Sequence, residues 1–311
     1  SISIMLNLGI VLYLRFSTST REETIQSTRR LMEQTGESLE DYLVNMRQIS
    51  DTAYYYLIKE NDFSSYGEDI QSRINLLYEA NRDSLQSIVV YNNYGSLLAA
   101  EPVATQKENL NVTEQGWFVQ AMAEVENMHF STPHIQNLFD DNTFRYYWVI
   151  SLSRAIEITR DGKTELGVLL VDMDYSVISR MLDQINVTEN GQYYYLCDSS
   201  GEIIYHPRRI QISDKISSEN NEIAAGYKDG VYDETFQGER RKIVVNTISY
   251  TGWKLVGVIP YSAFTYGMID IRYFIILLML LMLMMLAVVN RIASQGISRP
   301  ILRLNDSVRE Y

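Results

Sequence analysis

The chain has 311 residues, 46% hydrophobic and 21% charged, enough to fold more than one domain around ordinary cores. Its 27 Lys and Arg face 39 Asp and Glu, a net charge of -12. Such a body repels a phosphate backbone, and no basic stripe with interleaved aromatics offsets it, so a nucleic-acid partner is excluded.

Residues 1–16, SISIMLNLGIVLYLRF, are apolar but too short to cross a bilayer alone. They read as the end of a first transmembrane helix; a clipped signal peptide competes, but no small-x-small site follows. Residues 17–62 are expected to form a long extracytoplasmic helix. Met32, Thr35, Leu39, Tyr42, Met46, Ile49, Ala53 and Tyr56 recur at spacings of three and four without a proline. The polar run KENDFSSYGED should end it.

Strand signals then dominate. LQSIVVY (85–91) and SLLAAE (96–101) flank NNYG, a hairpin turn. TEQGWFVQAMAEVE reads as a short amphipathic helix with Thr113 as its N-cap. FRYYWVISLSRAI (144–156) and ELGVLLVDMD (165–174) read as long strands joined by the turn TRDGK, and YSVISRMLDQI as a helix capped by Asp174. A second pass follows: GQYYYLCD, SSG and EIIYH, a polar helical stretch, then DGVYDETF, RKIVVNTIS and GWKLVGVIP. Two tandem α+β modules are expected, over 63–184 and 185–265. The single cysteine, Cys197, allows no intrachain disulfide and no thiolate metal cluster, and in YYYLCD it reads as a buried, inert thiol.

Residues 266–292 contain YFIILLMLLMLMMLAVVN, free of charge and apolar on every face. About eighteen residues reach about 27 Å, close to the hydrocarbon thickness, so this is read as a transmembrane helix. Arg291, Arg299, Arg303 and Arg309 follow it, which puts that end in the cytoplasm and the body outside. In 293–311, Ile297, Ile301, Leu304, Val308 and Tyr311 are spaced as a heptad seam. A dimeric coiled coil and an ordinary amphipathic juxtamembrane helix both fit that spacing.

ISRPILRLNDSV resembles the entry to a HAMP linker, whose first helix forms a parallel dimeric bundle. The body resembles the double Cache (dCache) sensor region through WFVQA, STPHI, GVLLVDMD, DSSGEIIYHP and GWKLVGVIPYSAF, taken in order and spacing. The resemblance implies an α+β fold in which a long N-terminal helix carries two PAS-like modules with antiparallel sheets, flanked by transmembrane helices. It further implies a cell-membrane receptor that binds a small molecule, dimerises and signals inward. In flavour it is similar to the input half of a YesM-like sensor histidine kinase, which would act on a cytoplasmic response regulator through kinase domains absent here. A methyl-accepting chemoreceptor has the same front end, and a tethered structural module without a ligand is a third reading.

Cache domains of this type that recognise amino acids carry a Tyr, then Arg-x-Trp-Tyr, another Tyr, and an Asp ending a strand. Arg holds the carboxylate, Asp the ammonium, and the aromatics enclose the rest. By this resemblance the candidate ligand residues are Trp117, Phe118, His134, Tyr147 and Asp172, in the module farther from the membrane. Leu110 stands at the first Tyr, Gln115 at the Arg, Phe118 at the second Tyr and His134 near the third. Gln115 cannot supply a guanidinium charge, so an amino-acid ligand is disfavoured and a neutral or cationic molecule on Asp172 is expected. Asp172 would equally serve to hydrogen-bond the turn beside Asp174, and Trp117 to fill a core.

No catalytic, cofactor or metal site is expected. The three histidines, His129, His134 and His206, lack HExxH or zinc spacing, and neither a phosphate loop nor a GxSxG elbow occurs. His206 matches a Cache turn pattern. The two NVT sequons, at Asn111 and Asn186, are short enough to arise by chance.

Overall fold

Fifty residues without a proline form the first helix, α1 (Ile2–Asp51). The structure is a computed structural model that describes residues 2–140, 147–187, 189–265 and 268–309, with side chains described for 7–140, 147–187, 189–264 and 273–293. The chain divides into two units, 28–259 and the pairing of 1–27 with 260–311.

In the larger unit α1 buries Met32, Leu39, Leu43, Met46 and Ile49, one stripe at helical spacing. Thr35 sits in this stripe because its hydroxyl donates to Leu31 O at 2.8 Å. The helix ends in a wider turn, Thr52–Ile58, closed by Lys59 N on Tyr54 O at 2.9 Å. A further helix, α2 (Phe63–Asn81), follows where the sequence reading places only a helix end. Asp62 starts it by accepting from Ser64 N at 2.8 Å. Its fully buried stripe is only Ile70 and Ile74, one turn apart, too short to register as periodicity.

The first sheet holds β1 (Leu85–Asn92), β2 (Leu97–Glu101), β3 (Met128–Phe130), β4 (His134–Ile135), β5 (Trp148–Arg160) and β6 (Lys163–Asp174). Its order is β2-β1-β6-β5-β3, with β4 also on β5, and these pairings are antiparallel. The β5–β6 turn uses two left-handed residues, Asp161 (φ 49) and Gly162 (φ 71), the twist a two-residue hairpin needs. Residues 144–146, expected within β5, lie outside the described residues.

Between β2 and β3 the helix α3 (Gly116–Ala123) follows a short 3-10 turn, Val112–Glu114. Thr113 is not its cap: the hydroxyl donates to Asn111 Oδ1 at 2.8 Å, and Gln115 holds the N-cap position without a side-chain capping bond, its amide donating to Asn111 O at 3.3 Å. Asp174 does cap α4 (Tyr175–Ile185), accepting from Ser176 N at 2.8 Å.

The second sheet holds β7 (Tyr193–Cys197), β8 (Ile203–Tyr205), β9 (Gly230–Phe236), β10 (Glu239–Thr247) and β11 (Lys254–Pro260), ordered β8-β7-β11-β10-β9. Setting β4 aside, this repeats the first sheet's plan: an opening hairpin, inserted helices, then three strands that return to pair beside the first. The inserted helices are α5 (Arg209–Ser213) and α6 (Asn221–Ala225). Cys197 is fully buried, and burial pushes its thiol up to about 12, so it is a packing residue.

The smaller unit contains α7 (Tyr261–Thr265) and α8 (Met268–Arg309). Tyr273–Ala293 is the one stretch among the described residues long and apolar enough to cross a membrane, with mean hydropathy 2.6 and no burial. The first span expected in 1–16 does not meet that measure, although Leu8, Ile10, Leu12 and Leu14 are also exposed there. A Cβ on Gly9 would stand 3.3 Å from Met279 Sδ, so α1 and α8 approach closely at a residue without a side chain. The heptad side chains at 297–311 lie outside the described residues; the backbone is helical to Arg309.

Candidate ligand site

Strand alternation assigns β1, β5 and β6 two faces each. On one, Val89 and Tyr91 of β1 and Val168 and Leu170 of β6 form a core with Val112, Phe118 and Ala121, against which Trp117 packs. α3 therefore roofs this face. Asp172 lies on the same face, two residues beyond Leu170, and pairs with Ser87 of β1 on one side and Ser151 of β5 on the other. Sheet register thus builds a polar row, Ser87-Asp172-Ser151, at the end of an apolar patch.

Asp172 is 1% exposed, and its carboxylate accepts from three neutral side chains. Ser87 Oγ donates to Oδ2 at 3.0 Å, Gln136 Nε2 to Oδ2 at 2.5 Å, and Ser151 Oγ to Oδ1. The turn at Asp174 is not its partner. Because the one Ser151 hydroxyl proton goes to Asp172, the 3.3 Å contact of Ser151 Oγ with His134 Nε2 is a hydrogen bond only with the ring proton on Nε2. His134 Nδ1 lies 3.0 Å from Thr132 O, a pure acceptor that takes the ring proton there, and 3.2 Å from Ser131 Oγ, so in the neutral ring the Thr132 bond competes with the Ser151 contact. Among the described residues no cation contacts this carboxylate, an arrangement that burial makes costly.

Beside this row three polar atoms are buried without a partner among the described residues: Tyr91 Oη, Ser153 Oγ and His129 Nε2. Ser153 and His129 face each other across β5 and β3, and Ser153 is opposite Leu170 on β6, so all three lie on the roofed face. Burial, and then the Asp172 charge, hold the Tyr91 hydroxyl well above its usual range, so it remains a neutral donor. Buried orphan polar atoms are uncommon in folded chains, and three on the face that carries Asp172 mark a place that accepts polar partners.

The five residues expected from the sequence fall at different depths. Asp172 is central. Trp117, half-buried, stacks at 5.7 Å from Tyr91 and 5.8 Å from Phe118. Phe118 itself is buried beneath it as core. His134 Nε2 stands 3.3 Å from Ser151 Oγ, the hydroxyl that donates to Asp172. Tyr147 is half-buried, and its carbonyl accepts from Gln136 N at 2.9 Å, which fixes the backbone that presents the Gln136 amide to Asp172. Ser87, Gln136, Ser151, Tyr91, Ser153 and His129 were not anticipated, since only register brings them to Asp172. The alternation of Ser151 and Ser153 with apolar residues in VISLSRAI was the one available signal.

Comparison with known proteins gives a consistent picture. The family profile described as Cache domain (dCache_1) matches residues 16–268. A probable methyl-accepting chemotaxis protein of Bacillus thuringiensis subsp. konkukian is 23% identical over 208 residues, 66% of this chain and 29% of that protein. Methyl-accepting chemotaxis protein McpA of Bacillus subtilis is 20% identical over 250 residues, 80% of this chain and 35% of that one. The chain thus spans about a third of the length of such relatives. Among solved structures, the ligand-binding domain of Pseudomonas fluorescens chemoreceptor CtaA with L-serine superposes with TM-score 0.56 at 14% identity, covering 77% of this chain and 98% of that one. That of Pseudomonas aeruginosa PctC with GABA gives 0.54 at 14%, covering 76% and 99%. At these identities the structural likeness concerns the fold.

Proposed function

This chain belongs to the Cache domain family, and from that premise we propose that it is the extracytoplasmic sensor portion of a membrane receptor with chemotactic output. It binds a small molecule on the first sheet and performs no catalysis itself. The methyl-accepting chemotaxis relatives favour this output over the histidine-kinase input half expected from the sequence, which those relatives do not match. Two spans and a homodimer joined at the HAMP-like helix belong to the same proposal; a cytoplasmic response regulator belongs to the kinase alternative.

The ligand is a small molecule carrying an ammonium group. One observation carries this: the described donors to the buried Asp172 carboxylate, Ser87, Gln136 and Ser151, are all neutral, a setting in which an ammonium is the complementary partner. Serine and GABA, held by the solved relatives CtaA and PctC, both carry such a group. This chain has Gln115 where the family's carboxylate-binding Arg is expected, so amines without a carboxylate should bind at least as well as amino acids. Trp117, Phe118, His134 and Tyr147 are the accompanying ligand residues, with Tyr91 and Ser153 offering further polar contacts.

The full chain in detergent, screened by thermal unfolding against amines, amino acids, sugars and organic acids, tests this. A ligand that binds only the folded protein raises the midpoint. Stabilisation by an amine that disappears in Asp172→Asn supports the proposal. Stabilisation by sugars or organic acids alone, or by amines equally in D172N, refutes it.

A further inference from the structure

The second module contains a buried charged cluster that the ligand site of the first does not use. Glu219, with a fully buried side chain, receives four donors on one carboxylate. Arg241 Nη2 stands 2.7 Å and Asn220 N 3.0 Å from Oε1; Tyr193 Oη stands 2.7 Å and His206 Nε2 3.0 Å from Oε2. His206 Nδ1 accepts from Arg208 N at 2.9 Å, which leaves the ring proton on Nε2, aimed at Glu219. Arg241 is already paired with Glu234, its cross-strand neighbour, through Nε at 2.5 Å, and Tyr193 Oη accepts from its Nη1 at 3.0 Å.

Three features distinguish this from an ordinary structural ion pair. Glu219 arrives from irregular chain between α5 and α6, not from a strand, and nearby Ile210 and Ile216 are 78% and 76% exposed, so that segment is held by polar contacts (Gln237 Nε2 to Ser218 Oγ at 2.7 Å, Asn220 Nδ2 to Glu234 Oε1, Asn221 Nδ2 to Gly201 O at 2.6 Å) and not by those two apolar side chains. The donors, by contrast, are built into or beside the sheet: Tyr193 on β7, Arg241 on β10, His206 just after β8. Finally, the cradle occupies the position that corresponds to Asp172 in the first module. Tyr193 is on the opening strand, as Ser87 is, and Arg241 on the strand that matches β5. Both lie on the sheet face that carries the Tyr195, Ile243 and Val256 core beneath α6. A planar fork, a phenol and an imidazole N–H converging on a carboxylate are the donors that recognise a free carboxylate ligand.

We propose that the second module holds a carboxylate-binding site of its own, formed by Arg241, Tyr193 and His206, with Glu219 as a tethered occupant that a small carboxylate displaces. Binding would release the segment before α6, a local change at the module that continues into α7 and α8. This goes beyond the amine site on the first sheet and does not depend on it.

The test uses the full chain in detergent, with sodium acetate as the probe and acetamide and sodium chloride as controls. Glu219→Ala empties the cradle. E219A should gain thermal stability saturably with acetate and bind it at least about tenfold more tightly than the wild type, whose competent fraction is small. Adding Tyr193→Phe should weaken that binding. In the wild type, acetate at about 0.5 M, above the millimolar effective concentration of a short tether, should speed amide hydrogen exchange in residues 214–220. Acetate that shifts E219A no more than acetamide or chloride does overturns the proposal, and so does wild-type exchange that acetate leaves unchanged. Should E219A not fold, the wild-type exchange decides alone: faster in acetate supports the site, unchanged overturns it.

Discussion

The rings of Tyr91 and Trp117 lie 5.7 Å apart at 36°, and the Tyr91 hydroxyl is buried with no partner among the described residues. A buried donor without an acceptor loses its water and gains nothing in return. Tyr91→Phe keeps the ring contact and removes only the orphan. Its stability without ligand is expected to equal or exceed that of the wild type by up to about 1 kcal/mol in urea unfolding. Its response to an amine ligand should weaken. A clear loss of stability would mean that the hydroxyl is already bonded in the free protein, and that the site is less receptive than the orphan suggests.

Gly167 lies on β6 where β1 and β5 flank it. A Cβ there would overlap Ile158 Cδ1 and the Tyr91 carbonyl oxygen, and the carbonyl belongs to backbone that cannot swing aside. Gly167→Ala is therefore expected to cost about 1–3 kcal/mol or more, the ordinary penalty of overpacking. Gly162→Ala, with nothing within 4 Å but a φ of 71°, tests backbone strain alone at the hairpin tip. Urea midpoints of the two variants should both fall, with the larger fall at Gly167.

Much of this architecture was legible where one local signal sufficed. The apolar run at Tyr273–Ala293 declares itself by composition, the β5–β6 hairpin by long apolar strands around Asp161-Gly162, and α4 by Asp174 before a strongly amphipathic run. Helix α2 was hidden because Ile70 and Ile74 are all it fully buries. Strands β3 and β4, three and two residues long, exist only as additions to β5 and carry no periodicity. The candidate site was legible through Asp172 alone. Its partners Ser87 and Ser151 are 85 and 21 residues away in sequence, and register between strands, which single-strand patterns do not encode, brings them together. Glu219 was obscured more deeply: SSENNE falls in the stretch that reads as polar and helical, whereas the fold puts Glu219 in irregular chain and buries its side chain.

The two modules meet at Phe130. Its ring packs edge-on against Tyr250 at 5.7 Å and Trp253 at 6.1 Å, while Arg47 of α1 lies 5.9 Å from the Tyr250 ring centre. These residues border a cavity of about 480 Å³ between β3 and turns of the second module. A double-mutant cycle of Phe130→Ala and Trp253→Ala should return a coupling of about 0.5–1.5 kcal/mol, the worth of an aromatic pair beyond its area. F130A should also lower the hydrogen-exchange protection of β7 and β11, which a contact confined to the first module would leave untouched. Additive single effects would show that the modules lean on each other elsewhere, for example through Thr132 Oγ1, which donates to Glu202 Oε1 at 3.1 Å.

Stability should depend on pH through Glu219. Burial alone would raise its pKa, but the hydrogen bonds from His206 and Tyr193, the Arg241 charge and the Asn220 N–H outweigh it and bring the value to about 2, from 4.5 for a free side chain. A depressed carboxylate stabilises the fold fully above its unfolded pKa and loses that contribution as pH falls through the folded value. The loss therefore lies between about pH 5 and pH 2, and amounts to a few kcal/mol, on the order of 3 at 1.36 per unit. Glu219→Gln removes the titrating group while keeping the side chain's shape. Its urea midpoint should be lower than the wild type's at pH 7 and converge with it towards pH 2. Parallel curves across that range would mean that the carboxylate is not the ionised centre of the cluster. That result would also remove the reason for treating Arg241, Tyr193 and His206 as an anion cradle.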